Sequence, residues 1–107
     1  MAHAEYWFSI AEYQARLARV QQELRRQGLD AFIAFQPESV SWVTGFFTRA
    51  YSSFQFAIIP ATGEPTLFCR DVEAYYLDTT CLYNDCALWN DSQDTTVEAA
   101  KVLRARL

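Results

Sequence analysis

Histidine is all but missing from this chain of 107 residues: the one copy is His3, which reads as part of an N-terminal tail. Without a second imidazole there is no H-E-x-x-H zinc pair. Glycine is scarce too, with Gly28, Gly45 and Gly63 the full complement. Their wide spacing excludes the G-x-G-x-x-G turn and the P-loop, and no G-x-S-x-G nucleophile elbow occurs. An excess of positive charge is lacking: 9 Lys and Arg face 13 Asp and Glu, a net charge of −4. A chain with no basic stretch has little with which to neutralise phosphates, which argues against nucleic acid and anionic membrane surfaces as partners. No run approaches the roughly 20 apolar residues that span a bilayer. Residues 1–7 have neither the cationic lead nor the apolar stretch of a secretory signal. Cys69, Cys81 and Cys86 are an odd number of cysteines. That disfavours a disulfide framework and suits reduced thiols in a cytoplasmic protein, serving as small buried hydrophobes. Cys81 and Cys86 have no matching second pair to complete a zinc site. Asp71, Asp78, Asp85, Asp91 and Asp94 have no spacing that forces them onto one cation. No catalytic residue and no metal ligand is assigned within the chain.

What is present is hydrophobic: 51% of the residues are apolar and 16% aromatic. That suffices for one packed domain and leaves no length for two. Residues 1–8 read as a tail and 9–107 as the domain. Ser9 followed by Glu12 has the pattern of a capping box, with Phe8 and Tyr13 placed as a hydrophobic staple. Tyr13, Leu17, Val20 and Leu24 then recur on a 3.6-residue period, and Gly28 is placed as the terminator, so the spacing predicts an amphipathic helix over 9–27. The next five residues, Ala31 to Phe35, are apolar throughout, as in a strand buried on both faces. Pro37 opens a short helix with Val40, Val43 and Phe47 inward and Gly45 as its stop. Residues 54–59 and 66–69 form two strands of a hairpin around a turn-rich break. Asp71 is placed to cap a helix through Leu77, and 81–89 contain a further strand. Thr95 and Glu98 repeat the capping-box pattern before Val97, Ala100, Leu103 and Leu107, and nothing in the sequence stops this last helix. The order α-β-α-β-β-α-β-α predicts an α/β fold, a mixed sheet flanked by helices.

One segment stands apart. Residues 46–53 are rich in aromatics and contain Arg49, whose planar fork suits a carboxylate. The plainer alternative is a solvated Arg beside packed Phe and Tyr side chains.

Taken in order, Glu12-Tyr13, Arg16-Leu17, Leu24, Gly28-Leu29-Asp30-Ala31, Pro37-Glu38 and Val43-Thr44-Gly45-Phe46 resemble the N-terminal domain of the creatinase/aminopeptidase P/prolidase (Xaa-Pro peptidase) family. The A-T-G-E-P turn and the C-R-D stretch continue the resemblance. Ser39 stands where the family often has Asn. The resemblance implies a ribonuclease H-like mixed sheet without that enzyme's activity. It implies a following pita-bread catalytic domain, outside this chain, that binds two divalent metals (Mn, Zn or Co) or, in creatinase, none. The parent would then be a metallopeptidase or a creatinase-like C–N hydrolase acting on a small peptide or a guanidino or amide substrate. The N-terminal domain would take part in a homodimer and lean over the neighbouring active site. The substrate-contact candidates carried onto this chain are Phe47, Arg49, Tyr51 and Ser53. Tyr51 matches the family's aromatic, and a gapless pairing puts Ser53 opposite its Arg. The alternative is a stand-alone module that binds a small ligand or a protein without catalysis.

Overall fold

A computed structural model describes residues 6–48 and 53–107. The Ser9 hydroxyl accepts the Glu12 N–H at 3.1 Å and starts helix α1, Ile10–Arg26. Only half of the expected box forms, because the Glu12 carboxylate turns forward to Arg16 instead of back to the cap. The staple is in place: the Phe8 and Tyr13 rings meet edge to face at 6.1 Å. Tyr13 and Leu24 are buried, and Leu17 and Val20 pack beside them.

Strand β1 (Ala31–Ala34) and helix α2 (Pro37–Thr44) follow. Pro37 lies in the first turn of α2, where its missing N–H costs nothing. Gly45 stops the helix with φ +80°. A Cβ there would also stand 2.7 Å from the Thr80 carbonyl oxygen, so both backbone angle and space exclude a side chain. Strands β2 (Phe56–Pro60) and β3 (Thr66–Arg70) make the expected hairpin. A single 3-10 turn, Asp71–Glu73, leads into α3 (Ala74–Thr80). Asp71 is therefore the first residue of that turn and makes no cap bond, a correction to the sequence expectation. Strand β4 is Cys86–Trp89 and helix α4 is Thr95–Arg106. The cap of α4 is Asp94, one residue earlier than expected, with its carboxylate accepting the N–H groups of Thr96 and Val97. The inner face is rotated with it. Ala99 and Val102 are buried, whereas Val97 and Leu107 are exposed. The V-E-A-A-K-V-L run supports either face almost equally, and the sheet decides between them.

The sheet has the order β1-β2-β3-β4, antiparallel between the first three strands and parallel between β3 and β4. The expected mixed sheet with flanking helices is thus observed. One face, through Ala34, Ala57, Ile59, Leu67 and Cys69, packs against α1, α2 and α3. The other, through Phe56, Ile58 and Phe68, packs against α4. Each fully buried Ile, Leu or Phe is worth about 1.5–3 kcal/mol of transfer free energy. Strand β1 departs from expectation. It lies at a sheet edge, and Phe32 and Phe35 are 47% and 55% exposed. No helix among the described residues is long and apolar enough to cross a membrane.

Candidate functional site

The chain leaving α2 is fastened before it reaches the candidate loop. Thr44 donates its hydroxyl back to the Val40 carbonyl at 2.7 Å and accepts the Phe46 N–H at 3.1 Å. The Phe47 N–H donates to the Thr80 hydroxyl at 3.0 Å, and the Leu82 N–H donates to the Thr44 carbonyl at 2.8 Å. The end of α2 is thereby tied to the end of α3. The Thr48 hydroxyl donates to the carboxylate of Glu73, a side chain only 2% exposed. On the far side of the loop Ser53 is half-buried, and the Trp89 indole N–H donates to the Phe54 carbonyl at 2.9 Å. Of the four predicted substrate contacts, Phe47 and Ser53 stand on these anchored flanks. Arg49 and Tyr51 lie outside the described residues.

Phe47 also borders a cavity of about 370 Å³ shared with Trp7, Phe8, Arg16, Glu38 and Trp42. The Trp7 and Phe47 rings lie 5.4 Å apart. Of the residues read as tail, Tyr6 meets the Tyr13 ring at 6.2 Å and Phe8 lies against Arg16, so Tyr6 to Phe8 form one wall of this region. At the base is Arg16, 7% exposed. Its Nε donates to Glu12 at 2.9 Å and its Nη1 to the Trp42 carbonyl at 3.0 Å. The guanidinium carbon stands 4.4 Å from the Phe8 ring, 4.9 Å from Trp42 and 5.4 Å from Tyr13. A cation removed from water needs such partners, and the aromatic faces supply what hydrogen bonds do not. Arg16 thus joins α1, α2 and the N-terminal segment, and its planar group leaves further N–H donors for a carboxylate.

Sequence reasoning did not single out Arg16 or Glu73 as site residues. A Glu four positions before an Arg, on the border of an apolar stripe, was the available signal for Arg16. Glu73 has none, since its burial depends on a partner 25 residues away.

Nucleophilic chemistry has little support here. Burial, more than any neighbouring charge, pushes the Cys69 thiol up to about 12 and the Cys81 thiol up to about 11, so both stay protonated at neutral pH. Among the described residues no group of three or more His, Cys, Asp or Glu side chains could hold a metal. They do not fit the two divalent ions that the resemblance implies for the parent enzyme.

What the architecture offers is anchored flanks, an aromatic cavity and a buried cation. At 27% identity over 83% of this chain, it is similar to an ectoine hydrolase of Halomonas elongata, of which it spans 21%. Its fold superposes on a recombinant prolidase from Thermococcus sibiricus with a TM-score of 0.75 at 19% identity, over 91% of this chain and 26% of that one. It also superposes on the creatinase/prolidase N-terminal domain of an X-Pro dipeptidase from Streptococcus pyogenes, with a TM-score of 0.72 at 21% identity, over 82% of this chain and 66% of that one. The chain spans about a fifth of the curated relative. Residues 16–107 match the model of the creatinase/prolidase N-terminal domain, and on that match, which takes in every strand of the sheet, the chain belongs to the creatinase/prolidase N-terminal domain family.

Proposed function

We infer that this chain is the non-catalytic N-terminal domain of a larger hydrolase, a Xaa-Pro dipeptidase, aminopeptidase P or creatinase-like enzyme. Its role is to contribute dimer contacts and part of the wall of a substrate site whose bond-breaking groups lie in a following catalytic domain. The observation that carries this reading is the family match over 92 of 107 residues, 16–107, in a chain whose single histidine is His3. In metal-dependent members two divalent ions, Mn, Zn or Co, supply an activated water. No donor set for them stands among the described residues, so no step is routed through them here. This chain's own contribution is orientation and exclusion of water. Phe47 offers a ring face, Arg49 a carboxylate fork, and Tyr51 and Ser53 hydroxyls, on a loop held at its base by Thr80 and Glu73. The ectoine hydrolase relative favours a small substrate such as ectoine, and the prolidase neighbours favour an Xaa-Pro peptide.

A second reading, a stand-alone module that binds a small carboxylate-bearing ligand or a protein, draws on the aromatic cavity around Arg16.

The test is turnover by the full-length protein on Xaa-Pro dipeptides, creatine and ectoine. Cleavage of one of these, with Arg49→Ala raising KM about tenfold or more and leaving kcat within a few-fold, is expected for a residue that binds substrate uniformly. Unchanged kinetics in that variant would return Arg49 to a solvated role. A full-length protein that cleaves none of the three, or turnover by residues 1–107 alone, defeats the reading.

A further inference from the structure

The cavity beside Phe47 is built around a cation with donors to spare. Arg16 lies at its base with a side chain 9% exposed. A guanidinium carries five N–H donors in a fixed fork. Nε is committed to Glu12 and Nη1 to the Trp42 carbonyl, while the two N–H bonds of Nη2 meet no acceptor among the described residues. A buried donor without a partner is costly, and native interiors keep few of them, so the acceptor has to come from the cavity. The two bonds already made, with the Phe8, Trp42 and Tyr13 rings around the guanidinium carbon, hold the group in one orientation. An anion arriving at Nη2 therefore immobilises little that is not fixed already.

The walls select the rest of the ligand. Trp7, Phe8 and Trp42 border the cavity and yet remain exposed, Trp7 at 73%. Residues 6–8 belong to no helix or strand, and ring contacts hold them instead: Trp7 meets Phe47 at 5.4 Å and Phe8 meets Tyr13 at 6.1 Å. Ring faces that are held in place and still wet are apolar surface that a bound molecule can take out of water. A flat aromatic body gains offset or edge-to-face contacts there beyond the area it buries. The volume of about 370 Å³ stands at the lower end of small-molecule clefts, so the ligand is small. Glu38 stands exposed on the rim, and a second negative charge on the ligand would meet a like charge there. One carboxylate, one ring system and no further anionic group satisfy all three features.

We propose that the cavity bordered by Trp7, Phe8, Trp42 and Phe47 is a binding site for a small aromatic monocarboxylate, whose carboxylate accepts from Nη2 of Arg16 and whose ring rests on the tryptophans. The proposal supplies the ligand class that the second reading leaves open, and it does not depend on the hydrolase reading. Phenylacetate, titrated calorimetrically into the full-length protein, tests it. Saturable binding with a Kd of about 1 mM or tighter is expected. Phenylacetamide keeps the shape without the charge and acetate keeps the charge without the ring, and each should bind about tenfold or more weakly. Trp7→Ala and Arg16→Met should each weaken phenylacetate binding about tenfold or more. Because Trp7 is exposed, its variant reports on the site even where Arg16→Met does not fold. Transferred NOEs from the phenyl protons should reach the Trp7 and Trp42 indoles. No saturation below about 10 mM overturns the proposal. So does equal affinity for either control compound, and so does affinity that survives Trp7→Ala, which would place the ligand elsewhere on the protein. Turnover without phenylacetate binding removes this site and leaves the hydrolase reading standing; binding without turnover does the reverse.

Discussion

The two faces of the sheet are covered unequally. Helices α1, α2 and α3 close over one face, and the core there includes Ala57, Ile59 and Cys69, all fully shielded from solvent. On the other, α4 alone covers Phe56, Ile58 and Phe68, and a row of rings from Phe68 through Phe56 and Phe54 to Phe35 runs out to solvent. The first face also bears the tie between the ends of α2 and α3, made by Phe47 with Thr80 and by Leu82 with Thr44. The difference teaches that burial here follows helix supply rather than strand composition, since both faces are similarly apolar.

Truncations on the two faces should differ most. Ile59→Ala opens a cavity in the closed face and should lower unfolding free energy by about 2–5 kcal/mol. Phe35→Ala, at the exposed end of the other face, should cost under about 1 kcal/mol. Urea denaturation of both variants checks this, and equal losses would mean that the open face is covered after all. The glycines sharpen the same contrast at backbone level. Gly45→Ala meets the Thr80 carbonyl and an unfavourable φ together, and should cost about 2–4 kcal/mol. Gly28→Ala has φ +72° but nothing within 4 Å of the new Cβ, and should cost about 1–2 kcal/mol, so the gap in denaturation midpoint reports the α2–α3 contact.

Arg16→Met keeps the apolar stem and removes the guanidinium from Glu12, the Trp42 carbonyl and the surrounding rings. A loss of about 1–3 kcal/mol by thermal denaturation is expected, and no loss would detach the aromatic cavity from the closed face. The smallest effect concerns the tie that holds α4 to the open side. Arg106 donates two bonds of 2.9 Å to Asp85 and, more than any other neighbour, holds that carboxyl below its ordinary value of 3.8. Burial opposes this shift, and the Thr66 hydroxyl assists it. Because the folded pKa lies below the unfolded one, the stabilisation is complete above the ordinary carboxylate range and is lost as pH falls through the folded value. The stability gap between wild type and Asp85→Asn should therefore be constant from pH 7 to about 5 and close below about 4. With both side chains partly in solvent, it should stay under about 1 kcal/mol. A gap that widens in acid would reverse the assignment.

Much of the fold was legible because its signals are local. Period 3.6 and the Ser9 cap located α1, Pro37 and Gly45 bracketed α2, and the turn-rich break between 59 and 66 located the hairpin. The errors came where two readings were locally equal. Asp94 and Thr95 are both good caps, and the residues between Val97 and Leu107 offer two apolar stripes. The candidate site was legible only as a segment. Phe47 and Ser53 stand on its described flanks, whereas the buried Arg16 and Glu73 that brace the region carry little sequence signal, because each is made tolerable by partners on other elements.

By itself the sequence determined the order of elements, the α/β class, the absence of a histidine-based metal set and the family. Those depend on residue type and spacing along the chain. Tertiary structure alone decided that β1 sits at an edge, which stripe of α4 turns inward, and that Arg16 reaches the Trp42 carbonyl 26 residues away. Strand order and the pairing of buried charges depend on which surfaces meet in space, and local periodicity does not record that.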